Sequence, residues 1–250
     1  MTAAGSIRVY QTSEHPCGYW PDRRARDIVL DPDSRALPAV YPAALAQGFR
    51  RSGGHVYRPQ CETCMACVPV RIEVEAFVPN RSQRRCLRRN ADLRVSEQPA
   101  QRDPETFDLY RRYLGSRHPR GGMDQPRPED FDNFLSAPWS PTRFLCFRDG
   151  ADVLKGIAVT DLLPNGLSAV YTFFDPAEEA RSLGTYAVLS QIEWARQLAL
   201  PHVYLGFWLQ GHPKMDYKSR FSGLEQLRHG DWQSLPPREP LAGPTGDVSA

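Results

Sequence analysis

The sequence predicts an α/β protein, in the α+β sense of a mixed sheet carrying helices, preceded by a smaller cysteine-containing lobe. Three observations predict it. Residues 99–235 alternate helical and strand patterns in the order helix, three antiparallel strands, helix, strand, helix. Residues 1–98 hold most of the cysteines, a dense arginine cluster and many Pro and Gly, so they read as a loop-rich lobe with a few strands. A content of 41% hydrophobic and 24% charged residues over 250 positions is ordinary for a globular chain and enough for a sizeable core.

In the first lobe, strands are expected at 56–58 and 68–74. The segment "NRSQRRCLRRN" follows, with Arg81, Arg84, Arg85, Arg88 and Arg89 at i, i+3, i+4, i+7 and i+8. A helix over 81–90, capped by Asn80, would gather all five guanidiniums on one face. Like charges at those spacings repel, so a polyanion is the natural counterpart. Arginine donates paired hydrogen bonds that match phosphate, and the scarcity of aromatics favours phosphate contact over base stacking. Arg23, Arg24 and Arg26 would extend that surface.

In the second region, "PETFDLYRRYLGSRH" places Phe107, Tyr110, Tyr113 and Leu114 on one helical face. "FLCFRDG" predicts a strand from Phe144 with a turn at Asp149–Gly150, "LKGIAVTDLLPNG" a second strand, and "LSAVYTFFD" a third, stopped by Asp175–Pro176. A helix through "GTYAVLSQIEWARQLAL" has Ala187, Ile192, Ala195 and Leu198 as buried candidates, and "HVYLGFWL" is the fourth strand. Residues 236–250, rich in Pro, Gly and small residues, are expected to be a disordered tail.

The net charge of +2 excludes little. The longest apolar runs, "VYTFF" and "VYLGFWL", are too short to span a bilayer, and the N-terminus lacks the pattern of a signal peptide. A cytoplasmic monomer with no membrane partner is the expectation, and its six cysteines are then thiols or metal ligands. Cys61, Cys64 and Cys67 are spaced to reach one metal from a single loop, and Cys17 is the best candidate for a fourth ligand. The competing expectation is a set of half-buried thiols bracing the lobe. Cys86 and Cys146 read as packing residues.

The element order of the second region resembles the GNAT acyltransferases. The resemblance centres on "RSLGTYA", where Arg181, Gly184 and Thr185 fall at the opening of a helix whose amides, in that fold, bind the diphosphate of a CoA thioester. Tyr186 stands where a small residue is usual, so its bulk would argue against CoA.

Taken in order, "HPCGYWPDRRAR", "YRPQCETCMACVPVRI", "RSQRRCLRRNADL", "AVYTFFDP", "RSLGTYAVLSQIEWA" and "KMDYKSRF" resemble the aminoacyl-tRNA–protein transferases, in their bacterial aspartate/glutamate leucyltransferase branch. The resemblance covers about residues 14–230. It implies transfer of leucine from leucyl-tRNA to the α-amine of proteins beginning with Asp or Glu, which creates an N-degron. No cofactor is required for that reaction. The eukaryotic relatives carry C-x-x-C at "CGYW" and can hold an iron–sulfur cluster, but Trp20 replaces the second cysteine here, so Cys17, Cys61, Cys64 and Cys67 remain candidates for zinc or a cluster. "SRHPRGGMD" is also family-like, with Gly121–Gly122 suggesting a loop near substrate and His118 without an evident partner. An arginyl donor, a CoA-dependent acetyltransferase and an RNA-binding module on a decayed fold are the alternatives.

For that chemistry, a backbone amide near the end of the strand at 169–174 would stabilise the oxyanion, Tyr171 would orient the amine or assist proton transfer, and Asp175 and Asp161 are candidate proton acceptors. The acceptor's acidic side chain calls for a fixed cation, with Arg181, Lys214, Lys218 and Arg220 as candidates. Phe173, Phe174, Phe207 and Trp208 would wall a leucyl pocket.

Overall fold

The structure is a computed structural model and describes residues 6–117 and 125–235. The expectations for the tail, for His118 and for Gly121–Gly122 lie outside the described residues.

Residues 6–60 build a small sheet of short strands. β1 (Val9–Gln11), β4 (Asp27–Leu30), β6 (His55–Pro59) and β5 (Arg50–Ser52) pair in that spatial order, all antiparallel. β2 (His15–Pro16) and β3 (Arg24–Ala25) form a two-stranded ladder beside it. Helix α1 (Leu37–Ala46) begins with a proline in its first turn, where the missing N–H costs nothing, and buries Leu37, Tyr41 and Leu45.

The rest is one eight-stranded mixed sheet. Its members are β7 (Val68–Glu73), β8 (Arg94–Pro99), β9 (Thr142–Arg148), β10 (Leu154–Leu163), β11 (Gly166–Phe174), β12 (His202–Trp208), β13 (Leu224–Arg228) and β14 (Asp231–Ser234). The spatial order is β14-β13-β7-β12-β11-β10-β9-β8. All neighbours are antiparallel except β11 and β12. Side chains of β9 show why both faces are covered. Phe144 and Cys146 pack with α3 (Pro104–Arg117) and α4 (Pro128–Leu135), while Leu145 and Phe147 pack with α5 (Leu183–Gln197). That alternation is the period of two expected of a strand buried on both sides. A third cluster joins α1 and the small sheet to Leu163 and Tyr204 of the large one.

Helix α2 (Arg81–Arg89) forms with the expected cap. The Asn80 side chain accepts from the Gln83 amide at 3.0 Å, and Gln83 Oε1 accepts from the Asn80 amide at 2.8 Å. The hairpin strands and the α5 pattern are also as expected.

Three expectations change. The sheet does not divide at residue 98: β7 and β8 belong to it, because buried Val68, Val70 and Ile72 complete the cover over α5 and β7 pairs directly with β12. After β12 there is a single 3-10 turn, Asp216–Arg220, and then the β13–β14 hairpin instead of a helix. Leu198 is 44% exposed because it caps α5 and does not sit within its buried face. Among the described residues no helix is long and apolar enough to cross a membrane.

Candidate functional site

The one parallel pair of the sheet comes apart. β11 and β12 are in register only at Leu167–Val203 and Ser168–Tyr204, although β11 runs on to Phe174 and β12 to Trp208. At the same level β11 carries a bulge against β10, where Thr160 pairs with Ala169 and Val159 with Tyr171, leaving Val170 unmatched. A bulge bends its strand and re-aims it, which is how β11 leaves its partner.

Arg50 closes the base of this fork. Its guanidinium donates to the Ala169 carbonyl at 2.5 Å, the Tyr204 carbonyl at 3.3 Å and the Ser168 hydroxyl at 3.2 Å. It thus bonds both strands where they part. Gly206 adopts φ +80°, and a Cβ there would lie 2.7 Å from Arg50 Nε, so only glycine leaves room for the guanidinium.

Lys218 reaches the same fork from the 3-10 turn. Its Nζ donates to the Phe207 carbonyl at 2.5 Å and approaches the Met215 sulfur at 3.5 Å. Burial first, and the Arg50 charge second, push its pKa down to about 7. Among the described residues no carboxylate lies within ion-pair distance of Arg50 or Lys218. Half-buried Tyr57, Cys67, Tyr171 and Tyr217 stand around the fork.

Asp161 is not available as a proton acceptor. Its carboxylate and the Arg51 side chain are fully buried and joined at 2.7 and 2.8 Å, and Tyr41 and Thr142 each donate to it at 2.7 Å. Arg181 is not a free cation. It donates to Asp92 at 2.8 and 3.0 Å and to Glu178 at 2.9 Å, and this pairing holds the Asp92 carboxyl below the usual range. Tyr186 does not obstruct the start of α5, because its ring is buried against Phe147, with centroids 5.2 Å apart. The argument against CoA from its bulk therefore fails.

Asp175 is engaged at the end of β11, accepting from the Ala177 amide and pairing with Arg112 at 2.9 Å. Tyr171 packs on Phe134 and Tyr113, and burial pushes its phenol up. Gly184 and Thr185 lie in the first turn of α5, and a Cβ added at Gly184 would meet the Phe174 ring at ordinary contact distance. Phe173, Phe207 and Trp208 are core residues, while Phe174 is half-buried. Lys214 and Arg220 are exposed nearby. Arg50, the cation at the centre of the fork, was not singled out from sequence; its signal was an Arg-Arg pair following Phe49 and preceding "SGG", a strand too short to read.

The five arginines of α2 are all exposed. The helix docks on the turn before α5, Arg89 included: Asn90 Nδ2 donates to the Arg181 carbonyl at 2.9 Å, Arg89 donates to the Ala180 carbonyl, and the Cys86 thiol lies 3.7 Å from the Arg181 and Ser182 carbonyls. Arg24 and Arg26 are paired with Glu14 and Glu62, and Arg23 lies over the Trp20 ring.

Cys17, Cys61, Cys64 and Cys67 are half-buried free thiols. Cys64 accepts from Arg23 at 3.5 Å, and burial pushes the Cys67 thiol up to about 12, its three neighbouring thiols adding to the shift. Among the described residues no group of three or more His, Cys, Asp or Glu is disposed to hold a metal ion, so the thiols as placed do not form a ligand set. Cys146 is buried in β9, as its packing role requires.

Comparison with known proteins places this geometry in a class. The family models described as "Arginine-tRNA-protein transferase, N terminus" and "Arginine-tRNA-protein transferase, C terminus" match residues 15–85 and 105–228. The aspartate/glutamate leucyltransferase of Stenotrophomonas maltophilia (strain K279a) is 58% identical over 92% of this chain and 93% of its own. That of Xylella fastidiosa (strain 9a5c) is 55% identical over 88% of each, and that of Teredinibacter turnerae is 46% identical over 94% of this chain and 97% of its own. The chain belongs to the aspartate/glutamate leucyltransferase family. Among solved structures, the C-terminal domain of a putative lysylphosphatidylglycerol synthetase from Agrobacterium fabrum is 12% identical with a TM-score of 0.45, covering 69% of this chain and 52% of that one, a likeness too slight to argue from.

Proposed function

We propose that this protein transfers leucine from leucyl-tRNA to the α-amine of proteins whose first residue is Asp or Glu, in the cytoplasm, marking them for degradation. The observation that carries the reading is identity of 55–58% with relatives named for this activity over nearly their whole length. The finer fold reading is GNAT-like: a bulged strand parting from its parallel neighbour, followed by a helix that opens at Gly184.

The chemistry asks little of the protein. The aminoacyl ester is already activated, and an α-amine with a pKa of about 7.7–8.0 is partly neutral at physiological pH, so water can take its proton. The amides of β11 beyond Ser168 that point away from β10 have lost β12 as a partner, and they are donors for the tetrahedral oxyanion. The Tyr171 phenol, protonated at neutral pH, is a donor to the departing ribose hydroxyl. The exposed arginines of α2, foremost Arg81, Arg85 and Arg88, bind tRNA phosphates. Gly184 and Thr185 line the approach of the tRNA 3′ end.

A single-turnover assay tests the reading, using leucyl- and arginyl-tRNA against peptides that begin with Asp, Glu, Asn or Ala. Leucine should pass to the Asp and Glu peptides. Transfer only from arginyl-tRNA would reassign the donor, and transfer from neither would end the reading.

A further inference from the structure

Arg50 and Lys218 are 9% and 6% exposed. Both belong to a residue type that is almost never buried unless paired. The unpaired cation is normally among the costlier things a fold can carry. Their partners are all neutral: three oxygens for Arg50, and a carbonyl, a thioether sulfur and the Tyr217 ring for Lys218. A guanidinium has five N–H donors and an ammonium three. The Arg50 Nε–H is one of the unused donors, and the guanidinium packs closely on Gly206, where a Cβ would clash with it.

Both cations therefore keep unused donors at the level where β11 and β12 part, near enough for the Arg50 charge to act on Lys218. A carboxylate accepts through two oxygens and matches a guanidinium edge-on. A phosphodiester flanked by riboses suits the exposed arginines of α2, whereas Arg50 and Lys218 are both buried.

We propose that Arg50 and Lys218 form the subsite that reads the acidic first side chain of the acceptor protein, with Gly206 giving the Arg50 guanidinium the room it occupies. The assignment rests on the leucyltransferase reading above. It places the acceptor's first residue in the fork, with its carboxylate at the base and its α-amine toward the mouth, where the ester is presented. Specificity then comes from buried donors that a neutral side chain leaves unsatisfied, the arrangement that rejects a wrong substrate most strongly.

The test compares kcat/KM for two peptides that differ only in Asp or Asn at position one, in the wild-type protein and in Lys218→Met. Removing one partner from a buried charged contact costs enough that the Asp-over-Asn ratio should fall by about 30-fold or more. If the wild type prefers Asp and K218M keeps the same ratio, the subsite is overturned while the leucyltransferase reading stands. If the wild type transfers leucine to neither peptide, that reading falls and the subsite with it. A second measurement needs no variant. L-aspartic acid amide should raise the melting temperature of the wild type more than L-asparagine amide does, since only a ligand bound by the folded state stabilises it. Equal shifts overturn the proposal.

Discussion

Arg51 and Arg50 leave the same short strand on opposite faces. Arg51 ends against Asp161, Tyr41 and Thr142, in a cluster with every charge answered. Arg50 ends on backbone carbonyls and a hydroxyl, with Lys218 as its charged neighbour. The fold thus supplies an acid to one buried arginine and withholds it from the next. The first arrangement ties β5 to β10 and serves stability. The second keeps unmet charge at the point where the sheet opens, and a protein tolerates that kind of cost mainly where a ligand relieves it.

The contrast can be broken most forcefully at Asp161. Asp161→Asn leaves Arg51 buried without its counter-charge and should cost about 3–5 kcal/mol, read as a lower urea midpoint. Lys218→Met should have the opposite sign, stabilising the protein by about 1 kcal/mol or more at neutral pH, since an apolar side chain replaces a buried amine. The sign with pH follows from linkage. Folding lowers the Lys218 pKa from 10.5 to about 7. Between those values the unfolded chain binds more protons, so wild-type stability from this group rises with pH across that window. The advantage of K218M should therefore be largest at pH 7 and below and shrink toward pH 9, in denaturant titrations run side by side. A rising advantage would mean that Lys218 is paired.

Two variants on α2 set the scale for charge outside the core. Asn80→Ala removes a capping box and should cost about 1 kcal/mol. Arg85→Glu with Arg88→Glu should shift stability by no more than about 0.5 kcal/mol, because both side chains are exposed. The same pair should weaken tRNA binding and lower the log–log salt slope by about 2. Unchanged binding would remove α2 from the tRNA surface.

Much of this was legible in the sequence wherever the signal was local. The β9–β11 meander announced itself through alternation and turn residues, and α2 through its cap. The β13–β14 hairpin is short and polar, and α1 carries Pro38 and Pro42, so neither stood out. The site was harder for a different reason. Asp161 and Arg181 looked free because their partners, Arg51 and Asp92, lie 110 and 89 positions away in the chain. Arg50 looked like half of a solvated pair. A charge acquires its meaning from what the fold brings beside it, and no spacing rule contains that. Lys218, by contrast, was singled out through a motif, and the structure buries it against the Phe207 carbonyl.

The docking of α2 on the turn before α5 has one more consequence. The Asn90 amide grips the Arg181 carbonyl, next to Ser182, whose left-handed backbone at φ 56° starts the helix that carries Gly184. The arginine surface and the mouth of the fork are thus bolted to one frame with a fixed offset. A nucleic acid held by its backbone on that surface would be measured as if by a ruler, and only an end of the right reach would arrive at the fork.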